Sequence, residues 1–213
     1  MNRIRVLLAD DHTIVREGLV RILNTTDDIE IVAEASDGDM AVSRALEMKP
    51  DVAILDISMP ALNGVEAARR LHKALPDTAI LVLTMHDDAE YVLRMMRVGV
   101  AGYLVKDGAA SELITAIRAL KAGRPYFGAQ ASKALAEAWR DNRPLPEDPV
   151  ARLTERERDV FHLVVEGYTS GKIAERLCIS PKTVENHRTR LMEKLGVHGT
   201  TELLRYAARH GLI

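Results

Sequence analysis

The chain is poor in cysteine, in aromatic side chains and in long apolar runs. Cys178 is the one cysteine among 213 residues. No disulfide can therefore form within the chain, and a reducing compartment is expected. Its neighbours are Leu177 and Ile179, so a packed small side chain is expected there rather than a reactive thiol. No apolar run reaches the length that crosses a bilayer. Met1-Asn2-Arg3-Ile4-Arg5 leads straight into a short apolar stretch without a signal-peptide core. A cytoplasmic protein with no membrane attachment is expected. Internal repeats and low-complexity tracts are also missing, which excludes solenoid and fibrous architectures.

What is there is an ordinary globular composition, 47% hydrophobic and 28% charged, in a length comfortable for two domains. The net charge of −2 conceals an asymmetry. Residues 1–125 carry 15 basic against 19 acidic side chains, and residues 151–213 carry 11 against 8. An acidic front and a mildly basic back fit a metal or phosphate site ahead of a nucleic-acid reader.

Strand and helix signals alternate five times over the first part of the chain, the pattern of a doubly wound parallel α/β sheet of five strands. Helices are expected at Ile14–Asn24, Gly38–Met48, Val65–Leu75 and Asp87–Val98, with a fifth capped by Ser111 and running to Lys121. Pro144, Pro146 and Pro149 with Glu147-Asp148 mark a linker. The expected divisions are 1–122, a linker with a helical segment over 123–149, and an all-α domain of four helices over 150–213.

Four apolar runs end in residues suited to a phosphoryl group: Asp10-Asp11, Asp56, Thr84 and Lys106. If the runs are parallel strands, all of these lie at the carboxyl edge of one sheet, where such sheets place their chemistry. Like-signed carboxylates held close repel one another. A hard divalent cation, Mg2+ (or Mn2+), resolves that conflict. Asp56 stands alone at its strand end and is the natural nucleophile, forming an aspartyl phosphate. Lys106 and the cation would neutralise charge on the transferred group, and Thr84 would hydrogen-bond it. Taken one at a time, a strand-end Asp is more often a helix cap or turn residue; agreement among four strand ends favours the site.

Leu8-Ala9-Asp10-Asp11, Asp56-Ile57-Ser58-Met59-Pro60 with Asn63-Gly64, Thr84, and Gly102-Tyr103-Leu104-Val105-Lys106 resemble the receiver domain of bacterial two-component response regulators. The resemblance covers about residues 3–122. It implies a flavodoxin-like fold, a sensor histidine kinase as phosphodonor to Asp56, and a metal held by Asp10, Asp11, Asp56 and the Ser58 backbone carbonyl. It also implies a coupled switch in which Thr84 moves toward the phosphate and Tyr103 turns inward. The plain alternative for Tyr103 is a half-buried strand aromatic with its hydroxyl in water.

The last part of the chain reads as four helices, Thr154–Glu166, Ser170–Leu177, Pro181–Leu195 and Thr200–Gly211. Ser180-Pro181 is a strong helix start, Ser as N-cap and Pro in the first turn. Two short helices across such a turn make a helix-turn-helix, whose second helix enters the major groove. At 3.6 residues per turn, Val184, His187, Leu191 and Leu195 share the inward face. Lys182, Asn186 and Thr189 point the other way, with Glu185 and Arg190 on the flanks. That face suits DNA, with Thr183 beside it; Arg188 is open between phosphate contact and rim packing. An amphipathic helix with mixed charge is more often merely solvated, and Glu185 and Glu193 would repel phosphates.

Leu153-Thr154-Glu155-Arg156-Glu157, Gly167-Tyr168-Thr169, Lys172 to Leu177, Ser180 to His187 and Met192 to Gly196 resemble the LuxR-type helix-turn-helix. Together the two halves resemble a NarL/FixJ-type response regulator. The resemblance implies double-stranded DNA as partner and a homodimer in the active state, often formed through the last helix, here Thr201 to Arg209. Its Leu203, Leu204, Ala207 and Ala208 are equally consistent with ordinary core. The expected function is phosphorylation-gated transcription control. Two alternatives are a DNA-binding protein whose receiver only dimerises, and a phosphatase using Asp56. Such phosphatases place an acid/base carboxylate two residues after the nucleophile, where this chain has Ser58.

Overall fold

The computed structural model describes residues 3–85, 89–107, 110–142, 148–210 and 212. It divides into two compact units, 1–146 and 147–213.

In the first unit, parallel strands β1 (Ile4–Ala9), β2 (Ile29–Ala35), β3 (Val52–Leu55), β4 (Ala79–Thr84), β5 (Gly102–Val105) and β6 (Tyr126–Phe127) lie in the order β2-β1-β3-β4-β5-β6. Connecting helices are α1 (Thr13–Leu23), α2 (Gly38–Met48), α3 (Gly64–Ala74), α4 (Ala89–Val98) and α5 (Ala110–Lys121), and α6 (Ala129–Arg140) follows β6. Side chains alternate across each strand. Leu7, Ala53, Leu55, Val82 and Tyr103 therefore pack toward α2, α3, α4 and α6. Val6, Leu8, Ile54, Leu81 and Leu104 pack toward α5 and the half-buried face of α1. Both faces of the central strands β3 and β4 are covered, which is why they are apolar up to their carboxyl ends, whereas the edge strand β2 carries the exposed Glu30 and Glu34.

The sheet has six strands where the sequence pattern predicts five. After α5 the chain returns beside β5, with Tyr126 N–H donating to the Ala101 carbonyl at 3.0 Å and Gly128 N–H to that of Tyr103 at 2.9 Å. A two-residue strand is too short to show a period. The helical segment expected within 123–149 is α6. Its Ala131, Ala134 and Ala138 are buried and it packs beside α4, so it belongs to the first compact unit. Ser111 lies inside the first turn of α5 rather than capping it. The expected start of the fourth helix at Asp87 lies outside the described residues, and α4 is described from Ala89.

The second unit is four helices: α7 (Glu155–Val165), α8 (Ser170–Leu177), α9 (Pro181–Leu195) and α10 (Thr200–Arg209). Their core is Val160, Phe161, Ile173, Val184, Leu191, Leu203 and Ala207. Thr154 and Glu157 form a reciprocal capping box on α7, and Thr169 and Ser180 cap α8 and α9. The buried Arg158 donates to Asp148 and to the carbonyls of Ala151 and Leu153, which binds the entry segment to the unit. Cys178 is exposed, contrary to the packed position expected. It occupies the left-handed C-cap of α8 (φ 53°), which turns its side chain outward while Leu177 and Ile179 are partly buried.

Candidate functional site

The sheet order reverses at β1, between β2 and β3, and a crevice opens at the carboxyl end of such a switch point. Asp10 and Asp56 sit at its rim because backbone pairing continues one residue past each strand. Asp10 N–H donates to Ala35 and Asp56 N–H to Ala9, at 3.1 and 2.9 Å. Both carboxylates are nearly inaccessible. Lys106 reaches them from the end of β5, its Nζ 2.7 Å from Asp56 Oδ2 and 2.7 Å from Asp10 Oδ2. Its own N–H donates to the Thr84 carbonyl at 2.8 Å, which ties the ends of β4 and β5. Burial pushes the Lys106 ammonium down, but the hydrogen bonds to Asp10 and Asp56 outweigh it and hold its pKa above the ordinary lysine value.

The loop after Asp56 is folded back hard. Gly64 N–H donates to the Ile57 carbonyl at 2.9 Å, and Ala61 takes a left-handed φ of 71°. A Cβ on Gly64 would stand 1.9 Å from the Asp56 carbonyl oxygen, so only glycine lets α3 start against the Asp56 backbone. Ser58 N–H donates to Asp56 Oδ1 at 3.4 Å. Thr84 and Tyr103 are fully buried. Tyr103 is thus on the inside, in one apolar cluster with Met95 of α4 and Ala131 of α6, not half exposed.

Asp10, Asp11, His12 and Asp56 each offer a ligand atom within 4.8 Å of the others. His12 is the member that sequence reasoning missed. Its Nδ1 lies 2.8 Å from Asp11 Oδ1, yet that buried oxygen accepts no hydrogen bond. Lys106 meets two of the three carboxylates, and Asp11 lies outside its reach. A buried carboxylate oxygen that accepts no hydrogen bond, in a cluster of three carboxylates, fits a hard divalent cation.

In the second unit α9 presents the faces expected. Val184 and Leu191 are buried and His187 and Leu195 partly so, while Lys182, Glu185, Asn186, Thr189 and Arg190 are exposed and Thr183 is partly exposed. Arg188 is different. Only 20% of its side chain is exposed, and it donates to Ser170 Oγ at 2.8 Å and to Thr200 Oγ1 at 2.9 Å. Those partners lie 18 and 12 residues away, so no local pattern announces them. Lys194 Nζ donates to the buried Glu157 Oε2 at 2.6 Å, fastening the far end of α9 to α7. Burial raises the Glu157 carboxyl, but Lys194 and the Thr154 cap outweigh it and hold it below the usual carboxylate range. In α10, Leu203 and Ala207 are core and Leu204 and Ala208 are exposed.

Comparison with known proteins agrees with this geometry. The family model for the response regulator receiver domain matches residues 6–118. The model for bacterial regulatory proteins of the luxR family matches residues 151–207. The chain is 38% identical to the oxygen regulatory protein NreC of Staphylococcus epidermidis, over 98% of this chain and 99% of that one. Against NreC of Staphylococcus carnosus the identity is 37% over the same shares. Among solved structures, the response regulator ChrA of a heme-sensing two-component system aligns over 100% of both chains, with 35% identity and a TM-score of 0.55. An RcsB–DNA complex aligns over 97% of this chain and 98% of that one, with 28% identity and a TM-score of 0.60. Among the described residues no helix is long and apolar enough to cross a membrane. The chain belongs to the two-component response regulators, with a receiver domain followed by a LuxR-type DNA-binding domain that serves transcription regulation.

Proposed function

We propose that Asp56 accepts a phosphoryl group from a sensor histidine kinase and that this shifts the chain toward a DNA-binding homodimer. The observation that carries the reading is Asp56 itself: buried at the β1/β3 switch point, 2.7 Å from Lys106 and beside Asp10. A carboxylate oxygen of Asp56 attacks phosphorus, the bond from phosphorus to the donor histidine breaks, and the imidazole leaves with the electron pair. Lys106 follows the charge onto the phosphoryl oxygens, and Thr84, at the end of β4, hydrogen-bonds one of them. Mg2+ (or Mn2+), held by Asp10, Asp11, Asp56 and the Ser58 backbone carbonyl, would supply the remaining positive charge. Ser58 leaves no acid/base carboxylate two residues after the nucleophile, so turnover is limited to loss of the protein's own phosphate.

The phosphate changes what Thr84 and Lys106 hold, and Tyr103, packed under Met95 and Ala131, passes the change toward α4 and α6. DNA is read by Lys182, Thr183, Glu185, Asn186, Thr189 and Arg190, with Arg188 supporting that face. RcsB structures show dimers on DNA; here the exposed Leu204 and Ala208 of α10 would serve the pairing. The test is DNA affinity by gel shift with and without acetyl phosphate, alongside intact-mass measurement of phosphorylation. The expected result is one phosphoryl group, absent in Asp56→Ala, and tighter binding when it is present. Equal affinity in both states, unchanged by Asp56→Ala, would sink the gating.

A further inference from the structure

The polar side chains at the DNA-facing edge of the second unit form one directed chain. Arg188 Nη2 donates to Thr200 Oγ1, on the first residue of α10, at 2.9 Å. Arg188 Nη1 donates to Ser170 Oγ, on the first residue of α8, at 2.8 Å. Ser170 Oγ in turn bonds Glu185 Oε1. The direction of each bond is forced. A guanidinium only donates and a carboxylate only accepts, so the single hydroxyl proton of Ser170 must go to Glu185. Donation from a cation polarises that hydroxyl and strengthens its bond to the carboxylate. Glu185 remains 59% exposed, with Oε2 free of any bond within the described residues, and Arg188 Nη1 stands 4.0 Å from Oε1. The nearby guanidinium offsets the repulsion that a bare carboxylate would meet near phosphates.

We propose that Arg188 and Ser170 are specificity-positioning residues that aim the Glu185 carboxylate at a base edge, where it accepts a hydrogen bond from the amino group of a cytosine. This rests on the reading of α9 as the helix that enters the major groove. A carboxylate there discriminates by chemistry: cytosine N4 donates, whereas the adenine N6 donor stands beside the N7 acceptor, and that acceptor, the acceptor edge of guanine and the thymine carbonyl all repel it. A free glutamate has several rotamers and would lose side-chain entropy on binding; a pinned one has lost it already. Arg188, largely buried and held by two hydroxyls, is positioned to support Glu185 and not to contact phosphate.

The test is selection from a random-sequence duplex library by the full-length protein treated with acetyl phosphate and Mg2+, with binding repeated across a salt series. The wild type is expected to enrich a motif with one C·G pair favoured by roughly tenfold, within the range of a good base contact. Glu185→Ala and Ser170→Ala are expected to lose that preference at that pair alone, and Ser170→Thr, which keeps the hydroxyl, to retain it. Arg188→Gln is expected to weaken the same preference without changing the salt slope, whereas losing a phosphate contact would lower the slope by about one. Ser170→Ala with every preference intact overturns the proposal, as does a reduced slope in Arg188→Gln. If Arg188→Gln fails to fold, the Ser170 pair decides alone. A wild type that enriches no sequence removes the DNA reading and the proposal with it, whereas enrichment unaffected in Ser170→Ala removes the proposal only.

Discussion

The two functional regions treat charge in opposite ways. In the receiver pocket Asp10 and Asp56 share the Lys106 ammonium, while Asp11 has only the His12 imidazole beside it and its Oδ1 accepts no hydrogen bond. On the edge proposed to face DNA, hydrogen bonds link Thr200, Arg188, Ser170 and Glu185. Under the phosphorylation proposed for Asp56, a pocket short of positive charge is one whose balance an arriving cation and phosphoryl group would alter. A site meant to recognise a fixed surface is built with its polar groups already oriented, so that little remains to be ordered on binding.

The largest effect expected comes from removing the ammonium that bridges Asp10 and Asp56. Lys106→Ala leaves two nearly inaccessible carboxylates facing each other, and breaking a buried pair in this way costs about 3 kcal/mol. Thermal unfolding in a chelator should show the loss, and Mg2+ should raise the variant's Tm more than the wild type's. If Mg2+ acts equally on both, the pocket is not short of positive charge and the contrast with the reader fails. Next is Gly64→Ala, whose added methyl meets the Asp56 carbonyl at 1.9 Å. Forcing the backbones apart costs about 2 kcal/mol. Because it displaces the nucleophile's own peptide, phosphorylation by acetyl phosphate should slow as well.

In the reader, Lys194→Met removes a charged partner from Glu157 and should cost about 1.5 kcal/mol. The pH dependence follows from the depressed Glu157 carboxyl. Its stabilisation is present above the unfolded carboxyl value of about 4.3 and is lost as pH falls through the lower folded value. Denaturant titrations of the full chain from neutral to acid should show the transition assigned to the reader weakening in that window, and weakening less in Lys194→Met. An identical acid profile in the two proteins would show that the Glu157–Lys194 pair contributes nothing to the pH response.

The receiver site was legible because its residues stand where apolar runs stop, and parallel strands bring every such stop to one edge. The reader's faces were legible because helical period sorts α9 into buried Val184 and Leu191 and exposed Asn186 and Thr189. What escaped is long-range or small. The partners of Arg188 lie on two other helices, and nothing in the local pattern selects Ser170 and Thr200 over other hydroxyls. The Tyr126–Phe127 strand is too short to show alternation. The alanine stripe of α6 reads as generic helix until α4 is placed beside it. His12 joins the carboxylates through the turn that follows β1, and Cys178 looked packed because its apolar neighbours are, although its own left-handed backbone turns it outward.

That backbone allows a matched pair of substitutions at the smallest scale. Ala61 (φ 71°) and Cys178 (φ 53°) both hold a left-handed conformation that costs an L-residue about 1–2 kcal/mol. Glycine removes that cost and adds about 0.5–1 kcal/mol of chain entropy. At the exposed Cys178 glycine also gives up the weak thiol donation to the Glu175 carbonyl at 3.8 Å, so Cys178→Gly should stabilise the reader by no more than about 0.5 kcal/mol and leave DNA affinity as it was. At the buried Ala61 the lost methyl gives back about 0.8 kcal/mol, so Ala61→Gly should be nearly neutral in stability. If Asp56 is phosphorylated as proposed, the effect should appear instead in the lifetime of that phosphate, because the loop that Ala61 bends is the one that carries Ser58 past Asp56. If both glycine variants change only stability, the strain after Asp56 is a feature of the scaffold, and the difference between the two regions lies in their charges alone.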